Sequence, residues 1–293
     1  MTELRNRMIE DMQVRNFSIN TQKSYTYQIA QFARYFKKSP EVLSRDDIRT
    51  YQVYLTNEKK LTPQSVGIAV SAMRFLYTVT LQRDWNIEDI IPAPRVPKTL
   101  PVVLSPEEAV RFLSSIGNLK HRTVLTTCYA AGLRISEAVS LKPAHIDSQR
   151  MVIRVEQGKC QKDRYVMLSE RLLETLRHWW RIAKPKEWLF PGKIPGHHIT
   201  RFAVGESCRE AQKRSGLSKP VTPHSLRHAF ACHLLESGAD LRTIQLLMGH
   251  RSLSTTSRYL RIATSKVCST KSPLDLLPHP LPPPQPTPAP EHF

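Results

Sequence analysis

The stretch TPHSLRHAFACHLLESGADLRTIQLLMGH, Thr222 to His250, decides how this chain is read. Thr222 followed by Pro223 marks a helix start, since threonine caps free amides and proline suits the first turn. Leu226, Phe230 and Leu234 then form an apolar face at helical spacing. His224 and Arg227 fall three residues apart on another face, near the helix N-terminus. Free amides and the helix dipole favour an anion there, and a guanidinium offers a planar, permanently charged fork for phosphate oxygens. A capping histidine and a surface arginine would leave the same pattern. His224 and His228, four apart, are also a weak zinc pattern, without HExxH or an obvious third ligand. Gly249 reads as a helix end, leaving His250 in the C-terminal turn. SLSTTSRYL, Ser252 to Leu260, reads as another short helix with Tyr259 near its end. A phenol with a pKa of about 10 is a poor nucleophile at neutral pH. It needs a base and a well-held electrophile, and a half-buried aromatic is the plainer reading of Tyr259 by itself.

Upstream lies AAGLRISEAVSL, Ala130 to Leu141. Gly132 breaks the helical pattern and Arg134 opens a new segment, with Glu137 one turn on to brace that arginine or cap the helix. An arginine among so many small and apolar residues is partly buried and needs an anion, either Glu137 or a ligand. MVIRV and RYVML, separated by EQGKCQKD, read as a β-hairpin with a polar tip. Lys159, Lys162 and Arg164 belong to that tip, where lysines usually serve solubility. A tip lysine can also deliver a proton to a leaving oxygen. His197 and His198 fall in a loop.

The N-terminal part is all helical in pattern. Tyr25, Ile29, Phe32 and Phe36 stripe a helix from Thr21 to Phe36. Ser44 caps a second, with Asp46 and Asp47 at its positive end and Ile48, Tyr51 and Leu55 facing inward. Thr62 and Pro63 start a third, striped by Val66, Val70, Met73 and Tyr77. Pro92, Pro94, Pro97 and Pro101 then exclude helix and inner strand, so residues 91–104 read as a stiff linker whose Arg95 and Lys98 suit a DNA backbone. Ser105-Pro106-Glu107-Glu108 opens the next helix with a capping-box pattern. Residues 272–293 are a proline-rich tail. The expected domains are therefore a helical unit at 1–90, the linker at 91–104, a second domain at 105–271 that is mostly helical with a small antiparallel β-sheet, and the tail.

The chain has 293 residues, 43 Lys+Arg against 25 Asp+Glu, and a formal net charge of +18. That excess argues for a polyanionic partner, a nucleic acid or an anionic membrane surface. No run of 18 apolar residues exists, so no membrane span is expected, and the first residues lack the apolar core of a secretory signal. The 5 cysteines are widely spaced with no CxxC, which fits reduced thiols in a cytoplasmic protein.

AGLRISEAVSL, GKCQKDRYVML, WLFPG, the Thr222–His250 stretch and STTSRYL together resemble the tyrosine recombinases, the phage integrase family, and most closely its Xer-type and integron- or transposon-associated members. The resemblance runs to about Leu277. It implies a SAM-like helical core-binding domain followed by a catalytic domain that is mainly α with a small sheet. It also implies roles for six residues. Arg134 and Arg227 would clamp the non-bridging oxygens of the scissile phosphate, His224 would take the proton from Tyr259, and His250 would bond the phosphate. Lys159, preferred over Lys162, would protonate the departing 5′-oxygen; Cys160 stands beside it where a glycine is common. Tyr259 would attack, forming a 3′-phosphotyrosyl intermediate. Neither metal nor other cofactor is implied. The partner would be double-stranded DNA carrying specific sites, clamped between the two domains and engaged by a homotetramer, with any accessory protein undetermined. A catalytically silent DNA-binding protein, and a type IB topoisomerase or telomere resolvase, are the alternatives on the same fold.

Overall fold

Side-chain caps fix where most of the helices begin. The computed structural model describes residues 2–95, 102–156 and 163–261. It divides into two units, Met1–Thr99 and Leu100–Phe293. In the first, helix α2 (Ile19–Phe36) starts at Ser18, whose hydroxyl accepts from the Thr21 amide. Helix α3 (Arg45–Val53) starts at Ser44 with the reciprocal bonds of a capping box, the Ser44 amide donating to Asp47 Oδ2 at 2.8 Å. Helix α4 (Pro63–Phe75) starts at Thr62, which accepts from the Ser65 amide. Both α3 and α4 run on into one wider turn, closed by i→i+5 bonds from Lys59 N to Tyr54 O and from Leu81 N to Leu76 O. A short α5 (Ile87–Ile90) follows.

The first helix, α1 (Glu3–Val14), has no strong pattern in its sequence. Its inward residues are Leu4, Met8, Ile9 and Met12, and both methionines are fully buried. They join Phe32, Ile48, Tyr51, Met73, Leu76 and Tyr77 in the core of this unit. Burial of each such large side chain is worth about 1.5 to 3 kcal/mol. The buried Tyr77 hydroxyl is satisfied by donating to Pro40 O at 2.9 Å.

In the second unit α6 (Pro106–Ser114) begins at Ser105 with the expected capping box. Helix α7 (Leu119–Ala130) is capped by Asn118. The chain then reverses through Gly132 into α8 (Ile135–Val139). Three antiparallel strands follow in the order β1 (Ile146–Asp147), β2 (Val152–Val155) and β3 (Arg164–Met167), with Val155 opposite Arg164. The two hairpin strands match the β-branched runs; the two-residue β1 is too short to leave a periodicity. Helices α9 (Glu170–Ala183), α10 (Arg201–Ser215), α11 (Pro223–Glu236), α12 (Leu241–Met248) and α13 (Leu253–Ser257) complete the unit, with a 3-10 turn at Arg258–Arg261. Its main core gathers Leu104, Phe112, Val124, Leu133, Ile153, Phe190 and Leu226. A second cluster joins Phe230, Leu235, Ile244 and Met248 to Tyr259.

Several sequence expectations lie outside the described residues: Lys98 in the linker, Lys159, Cys160 and Lys162 at the hairpin tip, and the tail at 272–293. Among the described residues, no helix is long and apolar enough to cross a membrane. Cys128, Cys208 and Cys232 are buried free thiols.

Gly132 is doubly constrained. Its φ is +61°, and a Cβ there would stand 2.3 Å from the Phe230 ring. Gly132→Ala is expected to destabilise the protein by about 2 kcal/mol or more, combining left-handed strain with overpacking. The midpoint of urea unfolding checks this; an unchanged midpoint would show that Phe230 moves aside freely.

Candidate active site

The site is built around one carboxylate. Gly132 turns the chain so that Arg134 sits at the start of α8, where its amide donates to Glu137 Oε2 at 2.8 Å. The Arg134 guanidinium folds onto the same residue, Nη1 to Oε1 at 2.8 Å, and reaches Gly249 O through Nη2 at 3.4 Å. Arg164 meets Glu137 with both terminal nitrogens, at 2.9 and 2.8 Å, while its Nε donates to Leu247 O at 3.0 Å. Arg227 approaches within 3.7 Å on a third side. Its two terminal nitrogens also donate to the carbonyls of Gly132 and Met248, which ties α11 to both flanking turns.

Three guanidiniums therefore surround one buried carboxylate. Burial alone would push the Glu137 carboxyl up, but the hydrogen bonds and charge of Arg164, and then of Arg134, pull it down to about 2. Arg227 is itself almost wholly buried, 3% exposed. Burial and the neighbouring Arg134 charge lower it to about 10, which leaves it cationic at neutral pH. The cluster holds two more positive than negative charges.

Three more of the expected residues, His224, His250 and Tyr259, fall around this cluster, while Lys159 lies outside the described residues. His224, at the start of α11, is exposed. Partial covering of its ring, and the charges of Arg227 and Arg134, hold its imidazole below the ordinary value. His250 follows Gly249, which ends α12 with φ +58°. Its Nδ1 is engaged by Thr256 Oγ1 at 2.9 Å, so Nε2 is the nitrogen left to meet a ligand. Burial, then Arg227 and Arg134, bring it down to about 4. Tyr259, in the turn after α13, is 1% exposed. Burial raises its phenol to about 12, against an opposing pull from Arg227 and, more weakly, Arg258 and Arg134.

Two residues carry more here than the sequence suggested. Arg164 does not project from the hairpin tip; it lies inside the site, with its side chain 12% exposed. Its place in β3, opposite Val155, aims it inward, and RYVML alone gave no sign of a partner on α8. His228 is the second. Its Nδ1 lies 2.8 Å from the Tyr259 hydroxyl, whereas no such bond joins His224 to Tyr259 among the described residues. The four-residue spacing of His224 and His228 placed both on one side of α11, and that was the available signal.

A buried tyrosine beside a surplus of arginine charge suits an enzyme that transfers strands at a DNA phosphate. Comparison with known proteins agrees. Residues 103–266 match the Phage integrase family, and residues 4–87 match its N-terminal SAM-like domain. The protein y4qK of Sinorhizobium fredii is 66% identical over 293 residues, covering 100% of this chain and 95% of its own. The tyrosine recombinase XerD of Listeria innocua is 32% identical over 270 residues, covering 85% and 90%. The solved structure of XerH site-specific recombinase on its DNA substrate shares the fold, with a TM-score of 0.70, 21% identity, and coverage of 88% and 80%. The chain belongs to the phage integrase family of tyrosine recombinases, and its function is site-specific DNA recombination.

The low-lying groups predict how stability responds to acid. His228 and His250 both titrate near 4, below the ordinary 6.5, so the unfolded chain takes up their protons first. Their contribution is complete above pH 6.5 and is lost as pH falls toward 4. The Glu137 contribution is complete above pH 4.5 and is lost as pH falls toward 2. His250→Phe is expected to flatten the upper window, and Glu137→Gln the lower one while lowering stability at neutral pH. Urea unfolding measured across pH checks both; slopes equal to wild type in the matching window would refute the assignment.

Proposed function

We propose that this recombinase cuts and rejoins duplex DNA through a 3′-phosphotyrosyl intermediate formed on Tyr259. The observation that carries this reading is the surplus of two positive charges around Glu137, beside a tyrosine and two uncharged histidines. A phosphodiester is the monoanion such a site suits, and its charge grows at the non-bridging oxygens as attack proceeds. Arg134 and Arg227 bind those oxygens. His250 offers Nε2 to the phosphate, and His224, at the start of α11, takes up the Tyr259 proton as the phenol oxygen attacks. Lys159 delivers the proton to the departing 5′-oxygen. The P–O bond to tyrosine forms as the P–O5′ bond breaks, so the phosphodiester energy is retained. A 5′-hydroxyl from another strand then reverses the step.

The raised phenol means that Tyr259 is not a ready nucleophile in the free protein. The DNA phosphate has to complete the site before attack becomes favourable. The net charge of +18 suits the phosphate backbone; on this reading the protein works in the cytoplasm as a homotetramer on paired sites. The domain limits follow the same reading: core-binding at 1–90, linker at 91–104, catalysis at 105–271.

The test uses a nicked duplex selected for binding from a random-sequence pool, which traps the covalent complex. Wild type is expected to give a denaturation-resistant protein–DNA adduct, and Tyr259→Phe none. Binding without an adduct by wild type would leave a silent DNA-binding protein. Relaxed plasmid without recombinants would point to a topoisomerase. Arg227→Lys keeps the charge but cannot bridge Gly132 O and Met248 O together. It is expected to retain DNA binding and lose about 10²-fold or more in cleavage rate. A collapse of binding in that variant would make Arg227 a docking contact instead.

A further inference from the structure

We propose that His228 is the positioning residue of the nucleophile: its Nδ1 fixes the Tyr259 hydroxyl beside the arginine cluster, where the phosphate would be held. This rests on the reading of Tyr259 as the nucleophile. Three observations support it. The Nδ1 to Oη distance is 2.8 Å, and the two rings pack with centroids 5.7 Å apart. Tyr259 is 1% exposed, so a hydroxyl without a protein partner would be left unsatisfied in an apolar cluster of Phe230, Leu235, Ile244 and Met248. His228 also stands one turn beyond His224 and next to Arg227 on α11, so the helix that carries the clamp also carries the group that aims the attacking oxygen.

The chemistry of the pair gives the bond a direction. Burial, then the charges of His224, Arg258 and Arg227, keep the His228 imidazole uncharged down to about pH 4. The phenol also stays protonated at neutral pH. With its proton on Nε2, the neutral ring accepts the phenol O–H at Nδ1. The hydroxyl proton then points to α11, and the oxygen lone pairs are turned away from His228. His228 thereby controls the torsion of the hydroxyl and the position of the ring. On attack this hydrogen bond breaks and the proton passes to His224, since the low basicity of His228 in this cationic setting disfavours it as the acceptor.

Three substitutions separate aiming from packing. His228→Asn places an amide oxygen near the Nδ1 position, His228→Gln places one near Nε2, and His228→Phe keeps ring volume without a polar atom. The first readout needs no DNA. In full-length protein labelled with ¹³C at the tyrosine ζ carbon, Tyr259→Phe assigns the Tyr259 resonance. His228→Asn is expected to keep that resonance near its wild-type position, and His228→Phe and His228→Gln to shift it. The second readout is single-turnover adduct formation on the nicked duplex. His228→Phe and His228→Gln are expected to lose about 10- to 100-fold in rate with DNA affinity unchanged, and His228→Asn to recover most of the loss. Wild-type cleavage by His228→Phe overturns the proposal. Equal impairment of all three variants, tracking their thermal stability, also overturns it by making His228 a packing residue. A wild-type protein that forms no adduct defeats the nucleophile reading instead, while the carbon resonance still reports whether His228 holds the phenol.

Discussion

The catalytic unit depends on the charge balance at Glu137. A carboxylate buried without cations would be neutralised, and three arginines packed together without an anion would repel one another. Here each needs the other. Arg164 engages Glu137 through both terminal nitrogens and so satisfies most of the carboxylate's demand. Arg134 and Arg227 keep charge to spare, and that spare charge faces the histidines and the tyrosine. The ion-pair cluster thus keeps unspent positive charge, which in the proposed reaction a phosphodiester would meet.

The same balance explains the fold around it. Arg134 belongs to the turn after α7, Arg164 to the first position of β3, and Arg227 to α11. The carboxylate lies one turn into α8. Segments far apart in sequence are drawn to one point by hydrogen bonds with little geometric tolerance, and Arg227 adds two backbone carbonyls to the set. The helical cores give this assembly bulk stability; the polar bonds define its register.

Much of this was legible in the residues. Helix starts at Ser44, Thr62, Ser105 and Thr222 were readable because a cap is a local event involving residues three apart. The break at Gly132 and the stop at Gly249 were readable for the same reason. Helix α1 leaves a weak pattern because its inner face is marked by few apolar residues, Leu4, Met8, Ile9 and Met12, and β1 leaves none because two residues carry no period. At the site, Arg134, Arg227, His224, His250 and Tyr259 were proposed from motifs, and the fold places them around Glu137. The inward course of Arg164 and the bond from His228 to Tyr259 escaped the reading. Both are contacts between segments, 27 and 31 residues apart, and a linear pattern holds no record of which side chain another meets.

Gly249 performs no chemistry, yet it is held twice over. Its backbone is left-handed, and a Cβ there would stand 3.1 Å from the Arg164 side chain. Its carbonyl also receives Arg134. The space a side chain would occupy is already filled by the guanidinium arm that neutralises Glu137. In a library of random substitutions selected for recombination, this glycine should therefore be nearly as intolerant as the arginines. The tolerance map of the enzyme would mark a position with no functional group as part of its active site.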